Sequence, residues 1–193
     1  MLAANYSGKL KEAGLDEAGR GCLAGPVMAA AVILPPDYQH AFLNDSKQLT
    51  RRQRETLREE ITREAVAWAV AEATHAEIDE INILQASLRA MHRAVDQLNI
   101  QPDYLIVDGN HFIPYPNIPH TCLVKGDEKY LSIAAASVLA KTFRDDKMTA
   151  LATDFPEYGW EHNAGYPTIK HRQAIRENGI TPWHRQSFRL LPR

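Results

Sequence analysis

Residues 11–34 read KEAGLDEAGRGCLAGPVMAAAVIL, and this stretch decides the fold. Residues Lys11 to Leu15 predict a short strand that runs into the carboxylate pair Asp16-Glu17. A glycine-rich turn follows, and the apolar run Val27 to Leu34 predicts a second strand. Two acidic side chains at a strand end can hold a divalent cation, and glycines allow the backbone to come close to a ligand. The stretch therefore indicates phosphate chemistry beside a metal.

Length and charge limit the possible domain organisation and binding partners of the chain. The protein has 193 residues, 45% of them hydrophobic, and a net charge of -2. We expect one domain over residues 1–193, with a helical C-terminal extension over residues 155–193 that contributes to substrate binding. From Gly159 onward there are six Lys or Arg residues against two acidic ones. This basic C-terminal segment is either a binding surface for a polyanion or an ordinary solvated surface.

Cysteine usage and hydropathy favour a cytoplasmic protein. The two cysteines, Cys22 and Cys122, have no partner at metal-site or CxxC spacing, and we expect Cys122 to be buried. The first eleven residues contain no hydrophobic signal segment. The longest apolar run, Val27 to Leu34, is too short to cross a bilayer. We therefore expect no association with membranes.

The remaining sequence alternates between helical and strand patterns. Helices are predicted from Thr50, as N-cap, to Glu64 and over residues 77–98, 131–152 and 169–177, and strands over residues 66–73, 104–107 and 121–124. This order predicts an α/β fold in which helices pack on a mixed five-stranded sheet. Asp16 and Asp108 should both lie just past the carboxyl ends of strands, where open α/β sheets bind ligands.

Four acidic residues follow predicted strands or turns: Asp16, Glu17, Asp108 and Asp127. A single such residue is commonly a turn former or a solvated cap. Four of them, two on apolar strands that should lie side by side, favour a metal site. Two divalent cations about 4 Å apart can activate a water and stabilise a leaving oxygen in phosphoryl transfer. Mg²⁺ is typically bound by a few carboxylates together with substrate phosphate oxygens.

An ordered set of short motifs resembles one known family. The motifs are Asp16–Gly21 with Ala24-Gly25-Pro26, Asp45–Thr50, Val107–Asn110, Lys125-Gly126-Asp127, Ile133–Ser137, Gly165–Thr168 and His184–Phe188. Together they resemble ribonuclease HII over nearly the whole chain. The resemblance implies a ribonuclease H-like fold and an endoribonuclease active on the RNA strand of RNA–DNA hybrids. It also implies cleavage 5′ to a single ribonucleotide in duplex DNA, leaving 3′-hydroxyl and 5′-phosphate ends, and a role in ribonucleotide excision repair.

The resemblance also assigns roles to residues. It implies that the four acidic residues bind Mg²⁺ or Mn²⁺ in a two-metal mechanism. It implies that Gly19-Arg20-Gly21 reads the 2′-hydroxyl, the group that distinguishes RNA from DNA. Lys47 would hold a backbone phosphate, and Tyr166 would pack on the sugar at the RNA–DNA junction. The alternatives are that Arg20 is a surface ion-pair partner, that Lys47 is solvated, and that Tyr166 is a core aromatic residue.

Two other functions compete with this interpretation. A junction resolvase of the same fold would share the carboxylates but would not need a reader of the 2′-hydroxyl. A non-catalytic hybrid-binding module is disfavoured because buried acids without a metal repel one another. No aromatic clamp-binding motif follows Phe188, so we expect no sliding-clamp partner. We also expect a monomer. Lys141 and Asp145, at helical i,i+4 spacing, are predicted to form an ion pair.

Overall fold

Five strands form one mixed sheet with the order β3-β2-β1-β4-β5. The computed structural model describes residues 2–44 and 46–192, with the side chain of Lys47 left out. The strands are β1 (Glu12–Ala18), β2 (Val27–Ile33), β3 (Ala67–Ala73), β4 (Tyr104–Asp108) and β5 (His120–Leu123). Strands β1, β2 and β3 pair antiparallel, whereas β4 runs parallel to β1 and to β5. The predicted mixed five-stranded sheet is confirmed.

Within the described residues, five α-helices accompany the sheet: α1 (Arg51–Glu64), α2 (His75–Asp96), α3 (Leu131–Asp154), α4 (Trp160–Asn163) and α5 (Ile169–Asn178). The predicted cap of α1 is confirmed, since the Thr50 side chain accepts from the Gln53 amide in a capping box. Helix α2 begins earlier than predicted because Thr74 and Glu77 form a second capping box. The short helix α4 was not predicted. No helix in the described part of the chain is long and apolar enough to cross a membrane.

The sheet separates two hydrophobic layers. All seven residues of β2 are buried, so this strand is covered on both faces. Its odd-numbered residues, such as Val27 and Ile33, face a cluster with α2, and Ala30 and Val32 face a cluster with α1 and α3. Helix α3 approaches closest at Gly14, where a Cβ would lie 2.2 Å from the backbone carbon of Ser132. This close packing holds α3 against the strand that carries Asp16.

Three predictions about the strands and their residues were wrong in detail. Strand β1 continues through Ala18, so Asp16 and Glu17 lie within the strand, opposite Ala30 and Ala29 of β2. The long antiparallel pairing with β2 extends β1 past the end that its own composition suggested. Asp108 is the last residue of β4 and does not lie beyond it. Cys122, expected to be buried, is partly exposed because β5 is an edge strand.

Two buried histidines, His171 and His184, form a hydrogen-bond network in the C-terminal segment. Trp160 Nε1 donates to His171 Nε2 at 3.0 Å, and the Thr181 amide donates to His184 Nδ1 at 2.9 Å. These bonds leave His184 Nε2 as the donor to His171 Nε2, 3.2 Å away. Both histidines are fully buried. The network therefore requires both imidazoles in the neutral form.

This network predicts a loss of stability in mild acid. Burial lowers the pKa of His171, and burial followed by the neighbouring His171 lowers the pKa of His184 from 6.5 to about 4. Below pH 6.5 the unfolded chain takes up protons that the folded chain refuses, so the free energy of unfolding should fall between pH 6.5 and about 4. Urea unfolding at several pH values measures this slope. His184→Asn should show a shallower slope in this window, and an unchanged slope would exclude the network as its cause.

Candidate active site

Three carboxylates meet at the edge where β1 and β4 run side by side. Asp16 lies on β1, Asp108 ends β4, and Asp127 lies in the short turn Gly126–Glu128. One oxygen from each lies within 4.8 Å of the others. Asp16 and Asp127 are buried, at 4% and 5% exposure, and Asp108 is partly buried. The parallel pairing of β1 and β4 brings Asp16 and Asp108 together, and the turn after β5 adds Asp127, so that three of the four predicted acids meet.

The surroundings of Asp16 fit a cation. Burial, then Glu17, then Asp108 raise the pKa of Asp16 well above its ordinary range. The Ser137 hydroxyl and the Glu17 amide, which donates to Asp16 Oδ1 at 2.7 Å, favour the ionised form and partly oppose this shift. Buried carboxylate oxygens held this close are the donors that a hard divalent cation prefers, and such a cation would relieve their repulsion. The donor set therefore fits a hard divalent cation.

The turn after β5 fixes Asp108 relative to Asp127. The Gly126 amide donates to Asp108 Oδ1 at 2.7 Å. A Cβ at Gly126 would lie 2.5 Å from Ile133 Cδ1 and 3.5 Å from the same Asp108 oxygen. Lys125, in the left-handed region with φ 56°, turns the chain into this position. Glycine at position 126 thus lets a backbone donor orient one candidate ligand beside the next.

Glu17, the fourth predicted acid, lies outside the group of three. Its carboxylate forms an ion pair with Arg20, at 3.2 Å, and its side chain is 11% exposed. Its charge still raises the pKa of Asp16, so it belongs to the same electrostatic environment. Successive residues of a strand point to opposite faces, which explains why Asp16 and Glu17 do not converge.

Two of the three glycines in the glycine loop, residues 19–26, have different requirements. Gly19 has φ +96°, and a Cβ there would lie 1.9 Å from Arg144 Nε. At Gly21 a Cβ would meet nothing within 4 Å. The fold itself therefore requires glycine at position 19, whereas position 21 faces open space. An absent side chain at position 21 suits a ligand that approaches from outside.

This difference predicts opposite results for two alanine substitutions. Gly21→Ala should leave the melting temperature within about 1 °C of the wild type, since no atom is displaced, but should weaken binding of a ribonucleotide-containing duplex about tenfold. Gly19→Ala should destabilise the protein itself, because of its positive φ and its clash. Thermal unfolding and duplex titration separate the two effects. Normal binding by folded Gly21→Ala protein would show that no ligand approaches position 21.

Tyr166 lies beside the glycine loop with 37% of its surface exposed. Burial is the main reason that its pKa is raised, and the Cys22 thiol of the glycine loop is the second cause. The Lys141 ammonium lies 5.4 Å from the centre of its ring and pairs with Asp145 at 2.7 Å, which confirms the predicted ion pair. Tyr166 is therefore neither a fully buried core residue nor remote from the loop.

Other predicted and unpredicted residues complete the description. Asp45 and the side chain of Lys47 lie outside the described residues, so the phosphate-binding prediction for Lys47 stays a prediction. Arg20 is exposed and contacts Glu17, as its surface alternative expects. Sequence reasoning missed Arg144, which is fully buried against the glycine loop. The sequence carries no clear signal for this burial, since Arg144 stands beside Asp145, Asp146 and Lys147 in a charged stretch of α3.

Comparisons with known proteins agree with this geometry. A family model described as ribonuclease HII matches residues 13–191. A ribonuclease HII of Bacteroides thetaiotaomicron is 62% identical over 99% of this chain and 96% of its own length. One from Parabacteroides distasonis is 64% identical over 94% of this chain and 91% of its own.

A solved structure shows the same fold. The crystal structure of ribonuclease H2 from Pyrococcus horikoshii superposes with a TM-score of 0.77 at 27% identity, covering 93% of this chain and 94% of that one. The ribonuclease H-like fold expected from the sequence is confirmed. The chain belongs to the ribonuclease HII family and is a ribonuclease H enzyme.

Proposed function

We propose that this enzyme cuts 5′ to single ribonucleotides embedded in duplex DNA, in addition to the RNA strand of RNA–DNA hybrids. Ribonuclease H activity on hybrids follows from the family. The observation that supports the finer specificity is the position of the open glycine loop, which continues directly from the strand that carries Asp16. The carboxylates that cleave the strand and the loop that recognises the sugar would then lie next to each other. The products would carry 3′-hydroxyl and 5′-phosphate ends.

The carboxylates supply the site of cleavage. Asp16, Asp108 and Asp127 would hold Mg²⁺ or Mn²⁺, with Glu17 as the fourth acid. Bound in a pair, such ions activate a water and stabilise the leaving oxygen. The Glu17 amide and the Gly126 amide hold Asp16 and Asp108 in fixed orientations by hydrogen bonds. These bonds set the geometry of the donors before substrate arrives, which is what electrostatic preorganisation requires.

The neighbouring elements supply recognition. Gly19-Arg20-Gly21 would read the 2′-hydroxyl, which a DNA strand lacks. Tyr166 would place its exposed ring against the sugar, and Lys47 would hold a backbone phosphate. Because Tyr166 lies in residues 155–193, the C-terminal extension would take part in substrate binding. The Leu23 amide donates to the Gly165 carbonyl at 2.7 Å, which links the extension to the glycine loop.

Substitutions of Tyr166 distinguish a role in substrate recognition from a role in protein stability. Tyr166→Phe keeps the ring and should lose about 1 kcal/mol, the net worth of one hydrogen bond. Tyr166→Ala also removes the platform, and a scissile phosphate misplaced by about 1 Å can cost a hundredfold in rate. The loss should be larger at a single embedded ribonucleotide than on a continuous hybrid, where many registers can reach the acids. Equal losses on both substrates, with a melting temperature lowered by several degrees, would make Tyr166 a structural residue.

A substrate panel tests the proposed function. The enzyme with Mg²⁺ is given four substrates: a duplex with one ribonucleotide, a continuous hybrid, an all-DNA duplex and a four-way DNA junction. We expect cleavage of the first two only. Preferential cleavage of the junction would support a resolvase, and cleavage of the hybrid alone would remove the embedded-ribonucleotide specificity.

A further inference from the structure

Arg144 joins the two elements that would recognise the ribonucleotide. Its guanidinium is fully buried and donates to the carbonyls of Ala24, at 3.1 Å, and Pro26, at 2.9 Å, in the glycine loop. A third bond reaches the Ala164 carbonyl at 2.8 Å, two residues before Tyr166. One planar side chain thus sets the spacing between the glycine loop and the Tyr166 segment.

Arg185 holds the beginning of the same loop. This fully buried guanidinium donates to the carbonyls of Gly19, at 2.8 Å, and Arg20, at 2.9 Å. It also donates to the carbonyls of Gly25, at 3.0 Å, and Pro26, at 3.1 Å. Both ends of the glycine loop are therefore fastened to one rigid group.

The bonds of Arg185 determine where two amides point. In a planar trans peptide the N–H of one residue points away from the carbonyl of the residue before it. With the carbonyls of Gly19 and Arg20 turned toward Arg185, the amides of Arg20 and Gly21 are turned away from it. Among the described residues, neither amide donates to another backbone carbonyl. Two oriented donors are thus available in the part of the loop where the Gly21 Cβ position is open.

Stability alone does not account for this arrangement. In the described part of the chain, neither Arg144 nor Arg185 forms an ion pair with a carboxylate. Burying a charge against neutral carbonyls is costly, and well-packed apolar residues are often as stable or more so. Burial lowers the pKa of Arg185 to about 10, which still leaves it charged at neutral pH. Rigid, multidentate orientation of backbone is what guanidinium groups offer and apolar side chains do not.

We propose that Arg144 and Arg185 are positioning residues that create the preference for a ribonucleotide. Arg185 aims the Arg20 and Gly21 amides at the 2′-hydroxyl. Arg144 sets the distance between the glycine loop and Tyr166, so that both can contact the same sugar. The proposal rests on the proposed function, since it explains how that specificity is built. Neither arginine touches the substrate, and their effect passes through the backbone that they hold.

Arginine-to-lysine substitutions test this role, because they keep the charge and remove the fork of donors. Arg185→Lys and Arg144→Lys are compared with Arg172→Lys, a matched control whose guanidinium also donates to carbonyls, those of Arg189 and Leu190, outside the glycine loop. Affinities are measured in EDTA, without cleavage, for a duplex with one ribonucleotide and for its all-DNA counterpart. The ratio of the two affinities should fall about tenfold in the two test variants. Affinity for the all-DNA duplex should change less than about twofold, and Arg172→Lys should keep the wild-type ratio.

The outcomes distinguish the proposal from the function on which it rests. A wild-type protein that binds both duplexes equally would overturn both. Wild-type discrimination that survives in folded Arg185→Lys and Arg144→Lys proteins would overturn the positioning role alone. If these variants do not fold, ¹⁵N relaxation of the wild type decides: the Arg20 and Gly21 amides should have order parameters near ~0.85, as in rigid backbone. Values below ~0.6 would show that the loop is not held, and would overturn the proposal.

Discussion

Asp108→Asn should lower the cleavage rate by at least about a thousandfold while the protein stays folded. An amide is a poor ligand for Mg²⁺ and cannot balance the charge of two divalent cations. Loss of one group that stabilises the transition state already costs about a hundred- to a thousandfold. Asp108 is partly exposed and accepts its hydrogen bond from the Gly126 amide through one oxygen, which an asparagine oxygen can replace. Single-turnover rates with a ribonucleotide-containing duplex measure the effect.

Asp16→Asn provides the matched control for stability. Burial, Glu17 and Asp108 oppose the ionised form of Asp16 in the metal-free protein. Removing this charge should therefore raise the melting temperature of the metal-free protein, by about 2–4 °C for each kcal/mol of relieved repulsion. Activity should fall as far as in Asp108→Asn. Near-normal turnover in either variant would remove the carboxylate cluster from the reaction.

Removal of divalent cations should abolish activity. EDTA should reduce cleavage to the background, and either Mg²⁺ or Mn²⁺ should restore it, because oxygen donors at close range fit both ions. Ca²⁺ should bind to the same carboxylates but support little turnover, since its larger and more variable shell positions the reactants poorly. The measurement is initial rate after dialysis against EDTA and titration with each ion.

Binding can be followed separately from activity. Each ion should raise the melting temperature of the wild type, since it binds the folded cluster and relieves its repulsion. The same ions should raise the melting temperature of Asp108→Asn much less.

In the activity experiment, full activity in EDTA would contradict the two-metal mechanism.

Local patterns were sufficient for the elements whose signal is contained in their own residues. The uninterrupted apolar run of β2 and the capping residue Thr50 predicted a strand and a helix within one residue of their bounds. The end of β1 was harder, because Asp16 and Glu17 are poor strand formers. Their strand conformation comes from pairing with Ala30 and Ala29, which lie in another segment.

In the candidate site, too, some features were predictable from local sequence and others depend on contacts with distant segments. Asp16 and Asp108 were predicted to converge because their strands were expected to be neighbours, and the parallel pairing of β1 and β4 brings them together. The position of Glu17 outside the group of three follows from the extension of β1 through Ala18, which places Asp16 and Glu17 on opposite faces of a strand that was expected to end before them. The contact of Arg185 with Gly19 spans 166 positions, and no local pattern encodes such a contact.

The position of the cut at one embedded ribonucleotide tests the central claim most directly. A duplex with a single ribonucleotide, labelled on both ends of that strand, is incubated with the enzyme and Mg²⁺, and both products are mapped at nucleotide resolution. We expect one cut on the 5′ side of the ribonucleotide, with 3′-hydroxyl and 5′-phosphate ends and no cut in the matched all-DNA duplex. Cleavage at other positions, or equal cleavage of the all-DNA duplex, would contradict the assignment of the glycine loop as a reader of the 2′-hydroxyl beside the carboxylates.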